Sequence, residues 1–288
     1  MRVFIKKILF FSISFLILNF IGFKIVYEKY LGPYELEVNF KCKNFILGDS
    51  QGRAVGTKGE KFGVFNFSAN SDSYQDIYRK LTFLNESGEE IDTVFLSVND
   101  HTLSEYREKR NNQDRSLFFE VKDGVFSEFK YLAFNRFLVL TNSKYRDVIK
   151  LSLEKCEKEE IGRVWADFDS TKRVEQAKKR LNNQFTKHKK SNLMKTYLMK
   201  IYDLCENGNI QLVAVKFPIS KELNELKGEL SFFADSLLLK NGCKMIDLSR
   251  SLSNKPSLFK DADHVNEKGA NWFWRLFNFE RRKLLKYN

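Results

Sequence analysis

Apolar residues along this chain gather into a few short runs, separated by longer stretches where they recur every three or four positions. The runs are Asn44–Leu47, Phe62–Phe67, Thr93–Val98, Ile210–Phe217 and Met245–Leu248, and each reads as a short buried strand. A helix begins near Ser50. The spacing predicts a second from Ser73 to about Asn85, with Tyr74, Ile77, Tyr78, Leu81 and Leu84 on one face. Further helices are predicted over Ser170–Phe185, capped by Ser170 or Thr171, over Asn192–Cys205, and from Ser220 to about Lys240, where Gly242 ends the run. The last starts at Asn266 and carries Trp272, Trp274 and Phe277. Residues 102–165 fit neither period: Arg107–Arg115 reads as polar loop, and Phe134–Leu140 as strand or helix. Strands alternating with helices predict an α/β sandwich around a mainly parallel sheet.

The amino terminus follows another pattern. Arg2, Lys6 and Lys7 precede a charge-free stretch from Ile8 to Phe23, and Ile25-Val26-Tyr27 extends it beyond Lys24. The stretch is apolar on every face, as a transmembrane helix requires. A cleaved signal peptide is the rival reading, but Asn19-Phe20-Ile21-Gly22-Phe23 is too bulky for a cleavage site. The reading is therefore a signal anchor over 1–27, a linker over 28–42 and one exported domain over 43–288, with the basic end in the cytoplasm.

Charge and cysteines refine this picture. The chain carries 49 basic and 37 acidic residues; with four basic residues in 1–27, the remainder keeps a surplus of +8. That surplus suits anionic partners such as acidic glycans or lipid headgroups. Much of it lies between Lys172 and Lys195, read as a solvated helix face, and no basic-aromatic module argues for nucleic acid. Outside the cytoplasm, Cys42, Cys156, Cys205 and Cys243 could form up to two disulfides, or serve as small buried hydrophobes. Their spacing matches no zinc site.

The chemistry rests on two distant segments. Gly48-Asp49-Ser50 closes the first strand, and Asp261-Ala262-Asp263-His264 precedes the last helix. A serine hydroxyl needs a base to act as nucleophile, and an imidazole titrates near neutrality. Ser50 is thus the candidate nucleophile, His264 its base and Asp261 the carboxylate that orients the ring, while Asp263 is expected to point elsewhere. Oxyanion donors are expected from the Ser50 amide, the Asn99 side chain and the Ser68 loop. His101 and His188 read as exposed. One of Trp272 and Trp274 is expected in the core, and the other could stack on a sugar.

These blocks resemble the SGNH (GDSL-type) hydrolases: Gly48-Asp49-Ser50, the loop at Ser68, Ser97-Val98-Asn99-Asp100 and Asp261-x-x-His264, over roughly residues 43–275. Ser68 and Ser97 stand where the family has glycines. The resemblance implies a flavodoxin-like three-layer α/β/α sandwich and a metal-free, cofactor-free esterase or acyltransferase working through an acyl-serine. Anchored members are similar to enzymes that act on O-acetyl groups of cell-surface polysaccharides. The implied partners are an acylated carbohydrate or other small ester, the membrane, and a membrane acyl-donor protein. A non-catalytic glycan-binding or envelope-assembly protein with the same fold is the alternative.

Overall fold

The computed structural model describes residues 1–35, 38–120, 137–153, 164–185 and 188–286. In chain order its main elements are α1 (Arg2–Val26), β1 (Asn44–Leu47), α2 (Ser50–Ala54), β2 (Val64–Asn66), α3 (Tyr74–Glu86), β3 (Thr93–Ser97) and α4 (Ser143–Leu153). There follow α5 (Ser170–Gln184), α6 (Asn192–Asn207), β4 (Gln211–Lys216), α7 (Lys221–Lys227), α8 (Ala234–Lys240), β5 (Lys244–Asp247) and α9 (Glu267–Lys286).

Two compact units emerge. The first joins Met1–Glu37 to Asp114–Ile161, so the middle of the expected 43–288 domain groups with the N-terminal helix instead. The helix continues through a π-helical turn, Tyr27–Leu31, into the stretch expected as linker. It is long and apolar enough to cross a membrane. Of Phe134–Leu140, read as strand or helix, residues 134–136 lie outside the described set, and Val139–Thr141 is a 3-10 turn.

The second unit, Val38–Gln113 with Gly162–Asn288, holds the sheet. Its five strands are all parallel in the order β2-β1-β3-β4-β5. Every residue of β2 and β3 is buried, which accounts for their largely apolar runs, Val64-Phe65 and Val94-Phe95-Leu96. Alternate residues such as Ile46, Phe95, Val213 and Val215 share one core with Trp165, Phe273, Trp274 and Phe277. Phe277 meets Phe95 edge-on at 4.9 Å, and Phe273 stacks on Phe217 at 5.3 Å. Trp274 fills the space beside Gly59, where a Cβ would come within 2.2 Å of the ring, and its Nε1 donates to Val55 O (2.7 Å).

Local signals set most helix ends. Ser73 and Asp76 form a capping box on α3, and Ser191 caps α6. For α5 the cap is Asp169, whose carboxylate accepts from Lys172 N (2.8 Å), not Ser170 or Thr171. The helix expected from Ser220 to Lys240 breaks into α7 and α8, with Gly228 (φ 54) and Phe233 (φ 62) turned left-handed. The break lets Phe232 N donate to Asp100 O (2.9 Å) while Lys227 pairs with the Asp100 carboxylate (2.8 Å). Among the described residues no disulfide forms: Cys42 and Cys205 are buried thiols and Cys243 is partly exposed, whereas Cys156 lies outside them. Burial pushes the Cys205 thiol up to about 12.

Candidate active site

Sheet order decides where chemistry can gather. With β1 flanked by β2 and β3, the chain runs one way from β1 to β2 and the other way from β2 to β3. In open parallel sheets sites form where the order reverses, at the carboxyl ends of the strands, which here are the ends of β1, β2 and β3. Ser50 follows β1 and opens α2. Asp49 caps that helix, its Oδ1 accepting from Gln51 N (3.0 Å). Gly48 is required by close approach, since a Cβ there would lie 2.9 Å from Ser97 Cβ.

The segment before α9 comes to the same place. Ser50 Oγ lies 2.8 Å from His264 Nε2, and Asp261 holds Nδ1 with both carboxylate oxygens at 2.9 Å. Asp261 Oδ1 also accepts from the His264 and Asp263 amides (2.9 and 3.1 Å), so a tight turn presents acid and imidazole together. With Nδ1–H facing Asp261, Nε2 is left to accept the serine proton.

Asp263 does not point elsewhere. It is buried with Oδ1 3.4 Å from His264 Nδ1, and its Oδ2 accepts from Arg180 Nε (2.8 Å), Gln184 Nε2 (2.7 Å) and Gln51 Nε2 (3.1 Å). Arg180 thus belongs to the site rather than to a solvated basic face. Asp261, Asp263 and His264 have the mutual spacing of metal ligands, but the Arg180 guanidinium already pairs with Asp263 and its positive charge disfavours a cation there.

Electrostatics follow from this crowding. Burial alone would lower the His264 pKa, but the charge of Asp263 and the hydrogen bond to Asp261 raise it to about 9. Burial would raise Asp261, yet its bond to the imidazole brings it down to about 2. Asp49 is buried too, but His101 Nε2 at 3.2 Å and the Arg107 guanidinium at 3.9 Å hold its carboxyl well below the usual range. His101 is therefore interior, contrary to the exposed position expected of it.

The expected oxyanion donors fare differently. Asn99 is buried beside the strand ends; its Oδ1 accepts from Phe217 N (3.0 Å) and its Nδ2 donates to Ser97 Oγ (3.0 Å). Those bonds fix the amide and leave Nδ2 a second hydrogen. Ser97 therefore positions Asn99. The Ser68 amide is already engaged, donating to Asn66 Oδ1 (3.2 Å), and its buried hydroxyl packs between Gly48 and Gly52. The left-handed residue of that loop is Ser71 (φ 70), in the turn closed by Asp72 N to Ala69 O (3.1 Å). Trp274 is the core tryptophan; Trp272 is exposed, with Lys255 Nζ 4.5 Å from its ring centroid.

Compared with models of known protein families the chain matches none, and no curated protein matches it.

Proposed function

We propose that this protein is an SGNH-type serine esterase or O-acyltransferase, held by α1 with its catalytic unit outside the cytoplasm, acting on acyl groups of surface carbohydrate. The observation that carries this reading is the unbroken relay Ser50 Oγ–His264 Nε2 and His264 Nδ1–Asp261, joined across 214 positions of chain. A satisfied structural histidine needs no hydroxyl poised on its second nitrogen at a strand end.

In the proposed reaction Ser50 Oγ attacks the acyl carbonyl as its proton passes to Nε2. The imidazolium, stabilised by Asp261 and Asp263, returns that proton to the departing alcohol, leaving the acyl group on Ser50. Water or a sugar hydroxyl then attacks, losing its proton to neutral His264, and Ser50 departs protonated. Developing oxyanion charge is met by the Ser50 amide and by Asn99 Nδ2. The loop after β2 supplies the third donor from the Ser71 amide rather than from Ser68. The Ser68, Ala69, Asp72 and Ser73 amides already donate to Asn66, Gly48, Ala69 and Asp76.

A fluorophosphonate probe tests the proposal. Wild type should be labelled on Ser50, while Ser50→Ala and His264→Ala should lose labelling by at least about 10³-fold. Equal labelling of folded wild type and Ser50→Ala removes the nucleophile and leaves the non-catalytic glycan-binding alternative.

A further inference from the structure

Asn19 interrupts the apolar face of α1, and its side chain is fully buried. Its Nδ2 donates to Phe137 O (2.6 Å) and its Oδ1 accepts from Leu140 N (3.2 Å), so the helix clasps the backbone of a segment over a hundred residues away. Asn19 lies eleven residues beyond Ile8, about 16 Å along α1 at ~1.5 Å per residue. In a hydrocarbon layer about 30 Å thick that is near the middle. An amide at that depth keeps its partners, because lipid offers none. Phe137–Leu140 must then accompany Asn19 to the same depth.

The rest of the segment runs alongside. Gly22 leaves room for Ile149 Cδ1 and Val139 Cγ2, which would stand 3.0 and 3.1 Å from a Cβ there. Toward the far end Tyr145 meets Tyr30 edge-on (6.2 Å), Tyr30 donates to Asp114 Oδ2 (3.0 Å), and Lys144 pairs with Asp114 (2.6 Å). Arg115 lies over Tyr30 and Tyr34, completing an aromatic and charged collar of the kind that sits at headgroup level. From this collar α4 returns along α1, with Ile149 at the level of Gly22. Leu151 and Leu153 near its end are 64% and 70% exposed, and an apolar pocket of about 400 Å³ opens between Leu140, Ile149 and Leu153. Arg146 and Lys150 stand at its rim.

We propose that residues 137–153 enter the bilayer leaflet on the Tyr30 side of α1, so that lipid acyl chains cover Leu140, Ile149, Leu151 and Leu153. The anchor is then a spanning helix with a partly inserted companion, an inference that rests on α1 crossing the membrane. Arg146, one residue from Tyr145 in the collar, suits phosphate headgroups, and Lys150, deeper along α4, reaches toward them on its flexible stem.

The test uses full-length protein in phosphatidylcholine–phosphatidylglycerol vesicles, with Cys156 and Cys243 replaced by serine and buried Cys42 and Cys205 kept. A nitroxide is attached at Leu153→Cys or, as the reference for α1, at Phe10→Cys, and collision rates with oxygen and a water-soluble nickel chelate are compared. Both labels should collide more with oxygen than with chelate. Chelate preference at 153 beside oxygen preference at 10 overturns the proposal, and chelate preference at both overturns the spanning helix along with it. Neither outcome bears on Ser50 labelling, which remains a separate test.

Discussion

Replacing Asp263 by asparagine removes a negative charge 3.4 Å from His264 Nδ1 while leaving Asp261 in place. Because His264 must be neutral to accept the serine proton, labelling of the wild type should rise with pH through about 9. In Asp263→Asn that midpoint should fall by about one to two units, read from labelling rate against pH. Stability moves the opposite way. The folded pKa exceeds the unfolded one, so the contribution of His264 is complete below about pH 6.5 and lost as pH climbs to 9. Its upper bound is about 3 kcal/mol. Denaturant unfolding in detergent at both pH values should show wild type weakening across this window more than His264→Gln. That Ser50, Asp261 and His264 meet was legible because a serine after a strand and an Asp-x-x-His turn have recognisable types and local spacing. Asp263 was not, because its role is assigned by Arg180 and Gln184, about eighty positions away, which no local pattern connects to it.

At the scale of elements, α2 approaches the loop after β2 so closely that a Cβ on Gly52 would stand 2.5 Å from Ser68 Oγ. Gly52→Ala should therefore displace the helix that carries Ser50, costing about 1–3 kcal/mol and most of the labelling rate. Gly52→Ala with Ser68→Gly should recover both, measured by thermal unfolding and probe reactivity. The strands were readable because a buried parallel strand is a largely apolar run between punctuating residues, and the edge strand β5 still keeps Met245-Ile246 between Gly242 and Asp247. Their observed ends are shorter by a residue or two in most cases, as with Phe62–Phe67 against Val64–Asn66. The break between α7 and α8 was hidden, since helical periodicity persists across it; the contacts of Asp100 with Lys227 and Phe232 enforce the break. The Arg107–Arg115 stretch looked polar and looped, yet it forms two short helical turns, and Arg107 turns inward to face Asp49 and the Asp72 carbonyl.

For the whole molecule, the long apolar helix predicts behaviour that the α/β unit alone would not show. The protein should sediment with membranes, resist alkaline carbonate and dissolve only in detergent. A C-terminal reporter that matures only outside the cytoplasm should be active, and activity on the cytoplasmic side would reverse the proposed orientation. Hydropathy revealed the helix because sixteen uncharged residues leave few other uses for it. It could not reveal that Asp114–Ile161 groups with that helix, because the clasp is made by one asparagine on backbone atoms and not by any apolar period.

The bond from Trp274 to Val55 gives the closing helix an office beyond filling space. Replacing Trp274 by phenylalanine would retain alcohol, imidazole and both carboxylates, yet lose the bond that ties the exit of α2 to the closing helix beside Gly59. Such a protein should take the probe more slowly with every proposed reactive group present, through slack in its footing.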